Sequence, residues 1–291
     1  MSRIRTFVAA EPLLASPTIV DLDDLGDLWD ATKLANYKDD GRRSRGLTGL
    51  TRSLVVRRDM LAWTMIQKRV AGAVKAVCVC SEADKQHLAV PNSFVVSNGY
   101  DGPQPPAGRA CVGKLPTILF QGLLTYGPNI DAARYLVERI LPLLRDRVPD
   151  TQVRLVGAAA PAVRRLSSHQ GVTVVGWVPR IEDELERADV IATPIRFGGG
   201  TRIKILEAFA HRIPVVSSSL GAHGLEVVHE RHLLLADTPE AFADACVALI
   251  TDEGKRRSLV DEAETVFLGK YQWCGIADSI RELATTVAGS T

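Results

Sequence analysis

The chain has 291 residues, of which 46% are hydrophobic and 24% charged, a composition that excludes a disordered chain and exceeds one average domain. Its 35 lysines and arginines against 34 aspartates and glutamates leave a formal net charge of +1, so charge gives no indication of a nucleic-acid partner. No apolar run approaches the roughly 20 residues of a membrane-spanning helix. The five cysteines form no CxxC pair, which is typical of reduced thiols in a cytoplasmic protein.

The first hundred residues carry three predicted strands, at 18–20, 76–80 and 94–96, each a short β-branched or apolar run. Between the first two lies the segment 41–75, which holds nine lysines and arginines but one acid, Asp59. Apolar side chains lie in the same segment, so we predict a basic, amphipathic helix. Such helices bind anionic membrane surfaces, and a solvated helix face is the alternative.

A linker follows at 101–110, because three prolines and two glycines within 101–108 exclude helix and strand. We therefore predict a short N-terminal domain at 1–100 and a second domain at 111–270. The final segment, 271–291, is predicted as a closing helix.

The second domain alternates short apolar runs with longer amphipathic segments. Strands are predicted at 117–120, 153–156, 172–175, 190–193 and 214–216, and helices at 129–147, 161–169, 182–188 and 203–210. The strands are apolar on successive residues, as a parallel sheet covered on both faces requires. The pattern predicts an α/β fold of the doubly wound type.

Three loops that follow strands are candidate binding elements. The first runs from Gly122 to Gly127 and opens a helix, where backbone amides can approach a phosphate. It is neither a Walker A loop nor a GxGxxG loop, which disfavours a kinase or a dehydrogenase. By itself this signal is weak, since such a loop is often only a turn.

The second loop, at 198–202, carries the strongest signal. Three consecutive glycines expose backbone amides, and Arg202 and Lys204 add two cations in the first turn of a predicted helix. Cations there oppose the helix dipole unless an anion lies between them. One turn further, Glu207 is suited to binding a vicinal diol such as ribose. A basic helix start beside a flexible loop is the alternative.

The third loop, at 175–179, presents Trp177 and backbone groups at a strand end, where a nucleobase could bind. All three loops follow strands, and open α/β sheets bind ligands beyond the carboxyl ends of their strands. We therefore expect the three loops to converge on one nucleotide-diphosphate site.

From residue 74 to its end, the chain resembles retaining glycosyltransferases of the GT-B fold, in glycosyltransferase family 4 (group 1). The resemblance rests on these motifs: 81–84 (SEAD), 96–101 (VSNGYD), 127–129 (GPN), 176–179 (GWVP), 198–208 (GGGTRIKILEA), 214–217 (PVVS) and 221–225 (GAHGL). It implies two Rossmann-like domains, of which the first is incomplete here, and a last helix that crosses back to the first domain.

The resemblance also implies roles for individual residues. Arg202 and Lys204 would neutralise the leaving diphosphate and act as the catalytic residues, Glu207 would bind the ribose, and Val178 would meet the base through its backbone. The remaining expected donor contacts are Gly122, Thr125, Gly127, Gly199, Gly200 and Thr201. No cofactor or metal is implied, because fixed cations would replace one. The acidic triplet 21–23 matches a DxD metal motif only by a short pattern that often occurs by chance.

Two departures from the family pattern stand out. The family has two glutamates eight positions apart, whereas here Gly199 occupies the first position and Glu207 the second. In addition, no histidine precedes His87, although the family often places one in the cleft. About half of the usual acceptor domain is thus expected to be absent.

The expected function is the transfer of a sugar, with retention, from a nucleotide sugar to a glycan or lipid-linked acceptor in polysaccharide or glycoconjugate assembly. The alternative is a non-catalytic nucleotide-sugar-binding subunit, or a truncated remnant, that needs a partner subunit to complete the first domain. A nucleotide-sugar epimerase is disfavoured, since the first domain lacks the acidic and histidine residues of that class. We expect a cytoplasmic protein, with peripheral contact at the inner face of the membrane through 41–75.

Overall fold

The computed structural model describes residues 18–22, 25–28, 30–32, 47–102, 115–199 and 203–289. The chain divides into two compact units. The first comprises Met1–Asn98, Phe197–Thr201 and Trp273–Thr291, and the second comprises Gly99–Arg196 and Arg202–Gln272. Most of the predicted linker at 101–110 lies outside the described residues.

The strands and helices follow one another in α/β order. The strands are β1 (Ile19–Leu22), β2 (Ala76–Val79), β3 (Ser93–Val95), β4 (Thr117–Gln121), β5 (Gln152–Val156), β6 (Val172–Gly176), β7 (Val190–Thr193), β8 (Val215–Ser217) and β9 (Leu234–Leu235). The helices are α1 (Leu47–Ala73), α2 (Glu82–Leu88), α3 (Gly127–Tyr135), α4 (Leu141–Arg145), α5 (Pro161–Arg164), α6 (Glu182–Leu185), α7 (Ile203–Ala210), α8 (Pro239–Thr251), α9 (Glu253–Lys270) and α10 (Trp273–Gly289).

The first unit is built on a parallel sheet of three strands in the order β1-β2-β3. Its four-residue central strand, β2, is buried throughout. On one side Val77 and Val79 pack with Leu25 and Leu88, and on the other Ala76 and Cys78 pack with Leu283 and Val287 of α10. The two clusters are small, as we expect for a sheet of three short strands.

The predicted basic helix is present as α1, but its apolar residues do not gather on one face. Val70 and Ala71 are buried, whereas Leu54, Leu61 and Met65 are exposed. The expectation of a simple amphipathic helix is therefore wrong, since α1 has apolar side chains on opposite faces. Within the described residues, no helix combines the length and the apolar character needed to cross a bilayer.

The second unit holds a six-stranded parallel sheet in the order β6-β5-β4-β7-β8-β9. Strand β4 lies in the middle, paired with β5 on one side and with β7 on the other. Its side chains alternate between two cores, with Ile118 and Phe120 in one and Leu119 in the other. Helices α3 and α8 cover the first core, and α7 and α9 cover the second. The predicted α/β fold with parallel sheets is confirmed.

Several elements differ from the predicted ones. The helix predicted at 182–188 ends at Leu185, and the helix predicted at 161–169 ends at Arg164, before a 3₁₀ turn, Arg165–Ser168. The helix predicted at 129–147 begins at Gly127 and contains a π-helical turn, Leu136–Ile140, before α4. Pro142 lies at the start of α4 and cannot donate a backbone hydrogen bond, so a wider turn ahead of it is physically reasonable. Strand β9, which has two residues, was not predicted.

Candidate functional site

The strand order brings the carboxyl ends of β4 and β7 together. Strand β4 leads into the loop at 122–127, and β7, its direct neighbour in the sheet, precedes the segment that leads to α7. The order of the strands also reverses here, because β5 and β6 lie on one side and β8 and β9 on the other. Such a reversal opens a crevice at the carboxyl ends of the strands, where open α/β sheets bind ligands.

Gly122 begins the first loop in a conformation that other residues avoid, with a φ of 141°. A Cβ atom at this position would lie 3.1 Å from Asn129 Nδ2 and 3.2 Å from Lys204 Nζ. Asn129 Nδ2 donates a hydrogen bond to the carbonyl oxygen of Leu123 at 3.0 Å and so closes the loop over the first turn of α3. Gly127 and Thr125 are exposed.

Lys204 reaches across from α7 to this loop. Its Nζ donates to Asn129 Oδ1 at 2.9 Å and lies 4.4 Å from the centre of the Phe120 ring. The ring face and the amide oxygen both attract a cation, so they hold the ammonium group in place. The structure thus places Lys204 beside Gly122, as a convergent site requires.

Glu207 lies one turn after Lys204 on α7 and is partly buried. Its Oε2 accepts a long hydrogen bond from Gln121 Nε2 at 3.4 Å. Burial raises the pKa of the Glu207 carboxyl above its usual value, and Glu182 raises it further, whereas Gln121 and Lys204 act in the opposite direction. Burial, with Glu207 and Glu182 nearby, likewise raises the pKa of Tyr100 to about 12.

Three of the predicted site residues, Gly200, Thr201 and Arg202, lie outside the described residues. Just before them, Gly198 is buried with a φ of 112°, and its backbone N–H donates to Thr32 Oγ1 at 2.9 Å within the first unit. Gly199 is partly buried. Of the predicted cation pair, only Lys204 therefore has a described position.

A cavity of about 570 Å³ brings the first and third predicted loops together. Its lining comes from the loops that follow β4 and β5, from α5 and the turn after it, and from the end of β6: Thr125, Ala158, Ala159, Arg164, Ser167, Val174, Val175, Gly176 and Trp177. The volume is within the range of ordinary small-molecule sites. Trp177 is 74% exposed, so its ring is available to a ligand.

Val178 does not line this cavity. Its side chain packs against the second core of the sheet, with Leu185 and Ile205 among the members of that cluster. Any contact between Val178 and a ligand would therefore be made by its backbone atoms.

Sequence reasoning missed Asn129 and Gln121 as members of the site. Gln121 is buried, and in the part of the chain that the structure describes its Oε1 has no hydrogen-bond partner. A buried amide at the end of an apolar strand was the available signal, since such groups normally have partners. Also among the described residues, no cluster of three His, Cys, Asp or Glu side chains is arranged to hold a metal ion.

These residues form an arrangement suited to an anion joined to a diol. Lys204 and the N-terminal turn of α3 offer positive charge and backbone donors, while Glu207 offers acceptor oxygens about one helical turn away. The adjoining cavity is large enough for a flat ring system. A nucleoside diphosphate combines these three chemical features.

Comparisons with known proteins agree with this chemistry. Residues 115–252 match the model of the family described as glycosyl transferases group 1. Over 211 residues, the chain is 30% identical to a phosphatidyl-myo-inositol mannosyltransferase of Mycobacterium leprae, a match that covers 70% of this chain and 54% of the relative. It is also 23% identical over 135 residues to an uncharacterised 44.6 kDa protein of the Klebsiella pneumoniae cps region, covering 43% of this chain and 35% of that protein. The chain thus spans about half or less of the length of these relatives.

Solved structures show the same fold at low sequence identity. The sucrose-phosphate synthase of Thermosynechococcus elongatus matches with a TM-score of 0.70 and 18% identity, covering 94% of this chain and 68% of that one. The Anabaena protein HepE, solved with UDP and glucose, matches with a TM-score of 0.67 and 16% identity, covering 95% and 73%. The resemblance that the sequence motifs indicate is confirmed: residues 115–252 belong to the group 1 glycosyltransferase family, in a chain whose structural neighbours have the GT-B fold.

Proposed function

We propose that the chain transfers a sugar, with retention of anomeric configuration, from a nucleotide-diphosphate sugar to a glycan or glycoconjugate acceptor. The observation that carries this proposal is that Lys204 bonds to Asn129 at the start of α3 and Glu207 to Gln121 at the end of β4, at the crevice between β4 and β7. Family membership of residues 115–252 supports the same reaction class.

In this proposal each part of the donor has its own binding group. The base enters the cavity beside Trp177, and the ribose hydroxyls donate to Glu207. The diphosphate lies between Lys204 and the first turn of α3, while Arg202, Gly199, Gly200 and Thr201 stay donor contacts predicted from the sequence. HepE was solved with UDP and glucose, so UDP and UDP-glucose are the first ligands to test.

The chemical task of these residues is to stabilise the leaving group. As the bond between the anomeric carbon and the diphosphate breaks, negative charge develops on the departing phosphate. A cation fixed in advance stabilises that charge more in the transition state than in the ground state, and so accelerates the reaction. Lys204 is fixed in this way by Asn129 and the Phe120 ring.

A turnover assay tests the proposal. The chain is incubated with UDP- or GDP-linked glucose, mannose or N-acetylglucosamine and a cell-membrane extract as the source of acceptor, and release of the nucleoside diphosphate is measured. We expect acceptor-dependent release that Lys204→Ala lowers at least about tenfold. Absence of release with every donor would contradict transfer by this chain alone.

A non-catalytic donor-binding subunit is the second candidate, favoured by one observation. Among the described residues, the first unit is built on a parallel sheet of three short strands, and in this reading another polypeptide supplies the acceptor-binding groups. The two candidates differ in the same assay. A donor-binding subunit would bind the nucleotide but release none until a second protein is added.

We also propose that α1 contacts an anionic membrane surface. Leu54, Leu61 and Met65 are spaced seven and four residues apart, so they share one face of the helix, and they are 60%, 68% and 72% exposed. Exposed cations border this face on both sides, Arg57 and Lys68 along one edge and Arg58 and Arg69 along the other. We call these seven side chains the basic face.

The composition of the basic face favours lipid over protein as its partner. An apolar stripe between two rows of cations matches a bilayer surface, where acyl chains lie beneath anionic headgroups. Such contact would place the chain in the cytoplasm, at the inner face of the membrane, next to a lipid-linked acceptor.

Vesicle flotation tests the basic face. We expect binding to vesicles that contain phosphatidylglycerol, loss of binding in high salt, and no binding to phosphatidylcholine alone. Leu61→Ser with Met65→Ser should weaken binding at least about tenfold, because burial of both side chains is lost. Val228→Ser, at a site 53% exposed in the second unit, is the control. Equal binding by the double variant would exclude the basic face as the contact.

A further inference from the structure

The cavity beside Trp177 has one charged side chain among the described residues that line it, that of Arg164 at the end of α5. The rest of the lining is small, apolar or hydroxyl-bearing, apart from Trp177 itself. Stacking on the exposed Trp177 ring suits every nucleobase, since every base has a π face. A charged group with several N–H donors is the feature of this lining that can distinguish one base from another.

The side chain of Arg164 is held by its Nε atom, which donates to the carbonyl oxygen of Ala159 at 3.0 Å. That carbonyl belongs to a fixed segment, because Ala159 forms a β-bridge with Leu124 of the loop after β4. Val163 and Leu166 are buried in the first core of the sheet, so they anchor the backbone around Arg164. The guanidinium group therefore has a defined place in the cavity lining.

No carboxylate in the described part of the chain pairs with Arg164. Elsewhere in the second unit, Arg154 forms a bidentate pair with Glu184, and Arg196 forms one with Asp131. Within the described residues, the Nη1 and Nη2 atoms of Arg164 thus keep their N–H groups for water or a ligand. This arginine has the donors that the other two use for carboxylates.

The nucleobases differ in what they offer to such a pair of donors. Guanine has two neighbouring acceptors, O6 and N7, and a guanidinium group binds both at once. Adenine keeps N7 but carries an amino donor where guanine has O6, and uracil offers O4 beside a carbon atom. Guanine is therefore the base that matches the Nη1 and Nη2 donors of Arg164.

We infer that Arg164 is a specificity-determining residue that selects guanine as the base of the donor. This assignment rests on the proposed function, which places the donor base in the cavity beside Trp177. It names the nucleotide, so that the donor is a GDP-linked sugar. Because a bidentate contact strongly favours the matching base, we expect GDP to bind at least about tenfold more tightly than UDP or ADP.

Isothermal titration of the full chain with GDP, UDP, ADP and 7-deaza-GDP tests the inference. 7-Deaza-GDP lacks N7, and we expect it to bind the wild type at least about fivefold more weakly than GDP. Arg164→Lys keeps the charge but cannot form two parallel hydrogen bonds. In this variant, the affinity for GDP should fall to within about twofold of the affinity for UDP.

Arg165→Lys is the matched control. Arg165 follows Arg164 in the chain, is exposed, and is not among the residues that line the cavity. This variant should keep the wild-type ratio of GDP affinity to UDP affinity, and melting temperatures report the stability of both variants. A structural role of Arg164 would lower both affinities alike and leave their ratio unchanged. Where Arg164→Lys fails to fold, 7-deaza-GDP with the wild type still tests the contact to N7.

A preference for GDP that is lost both in Arg164→Lys and with 7-deaza-GDP supports the inference. Equal or tighter binding of UDP or ADP overturns it and leaves the proposed function intact, since a nucleoside diphosphate still binds. A preference for GDP that persists in Arg164→Lys, or with 7-deaza-GDP, also overturns it, because another group would then recognise the base. If no nucleotide binds, the proposed function and the inference fail together.

Discussion

Glu207 combines a function in binding with a cost in stability. Burial raises the pKa of its carboxyl, so the folded chain binds the proton more tightly than the unfolded chain does. By linkage, this group's contribution to stability is most favourable below its unfolded pKa and declines as pH rises through the folded pKa. The ionised form of this carboxyl is therefore disfavoured in the free chain, and in the proposed site hydrogen bonds from a ribose would stabilise it.

Glu207→Gln should stabilise the free chain and weaken nucleotide binding. The variant removes the buried charge but keeps the shape, so its free energy of unfolding should exceed that of the wild type at pH 7. The difference should shrink as pH falls and be small at about pH 3, well below the ordinary glutamate pKa of about 4.3, where the wild-type carboxyl is protonated in both states. Urea unfolding at the two pH values measures this. Glu282→Gln, at an exposed site on α10, is the control; a destabilised Glu207→Gln at pH 7 would contradict the account.

Gly122 is a second residue whose backbone conformation affects both stability and nucleotide binding. Gly122→Ala would force a positive φ on alanine and place its Cβ within 3.2 Å of Lys204 Nζ. We expect a loss of about 1–3 kcal/mol in the free energy of unfolding, together with weaker nucleotide binding.

Gly269→Ala is the control for Gly122→Ala. Gly269 lies in α9, and a Cβ there would meet nothing within 4 Å. This variant should gain about 0.5–1 kcal/mol, because alanine is the better helix former. Urea unfolding compares the two, and equal effects would refute the role of Gly122.

At the scale of elements, the small first unit depends on a polar network beside its core. Asp27 is buried and accepts hydrogen bonds from Thr64 Oγ1 of α1 at 3.0 Å and from the backbone N–H of Leu28 at 3.0 Å. Its Oδ2 also lies 2.8 Å from His87 Nε2 of α2. One carboxylate thus joins two helices.

Asp27→Ala should loosen α1 and α2 without affecting the second unit. Burial raises the pKa of Asp27, but the hydrogen bonds of His87 and Thr64 outweigh it and lower the pKa below 3.8. The Asp27 carboxylate therefore stabilises the folded chain above pH 3.8, and this stabilisation is lost as pH falls through the pKa of Asp27 in the folded state. We expect a cost of about 1–3 kcal/mol, seen as faster amide exchange in α2. Equally faster exchange in α8 would mean that the effect is global.

Elements with strong apolar runs could be predicted from the sequence, and short or irregular ones could not. Strand β4 is predicted because residues 118–120 are apolar in succession. In the structure, all three side chains are fully buried. Strand β9 has two residues, too few for any periodicity. The π-helical turn at Leu136–Ile140 leaves the apolar pattern of its helix unbroken, so only the backbone reveals it.

The members of the site could be predicted, but their partners could not. Lys204 and Glu207 stand out by charge at a helix start, whereas Asn129 and Gln121 join them because β4 and β7 are neighbours. Strand order depends on long-range packing that no local pattern records. The same holds for Arg196 and Asp131, which lie 65 residues apart.

At the scale of the whole molecule, two units of unequal size share one chain. The second carries a six-stranded sheet with Lys204, Glu207 and the loop at 122–127, and the first carries a three-stranded sheet and the basic face of α1. In the proposed function, Lys204 and Glu207 of the second unit bind the donor, and the first unit contacts the membrane. The domain boundary at 101–110 stays a prediction.

The central claim is that the second unit binds a nucleoside diphosphate through Lys204, and isothermal titration of the full chain with UDP and GDP tests it directly. The account predicts that one of them binds the wild type, that Lys204→Ala weakens this by about 1.5–3 kcal/mol, and that Lys255→Ala, which removes a lysine paired with Glu230, has no effect. Failure of both nucleotides to bind the wild type, or equal affinity in Lys204→Ala, would contradict the claim.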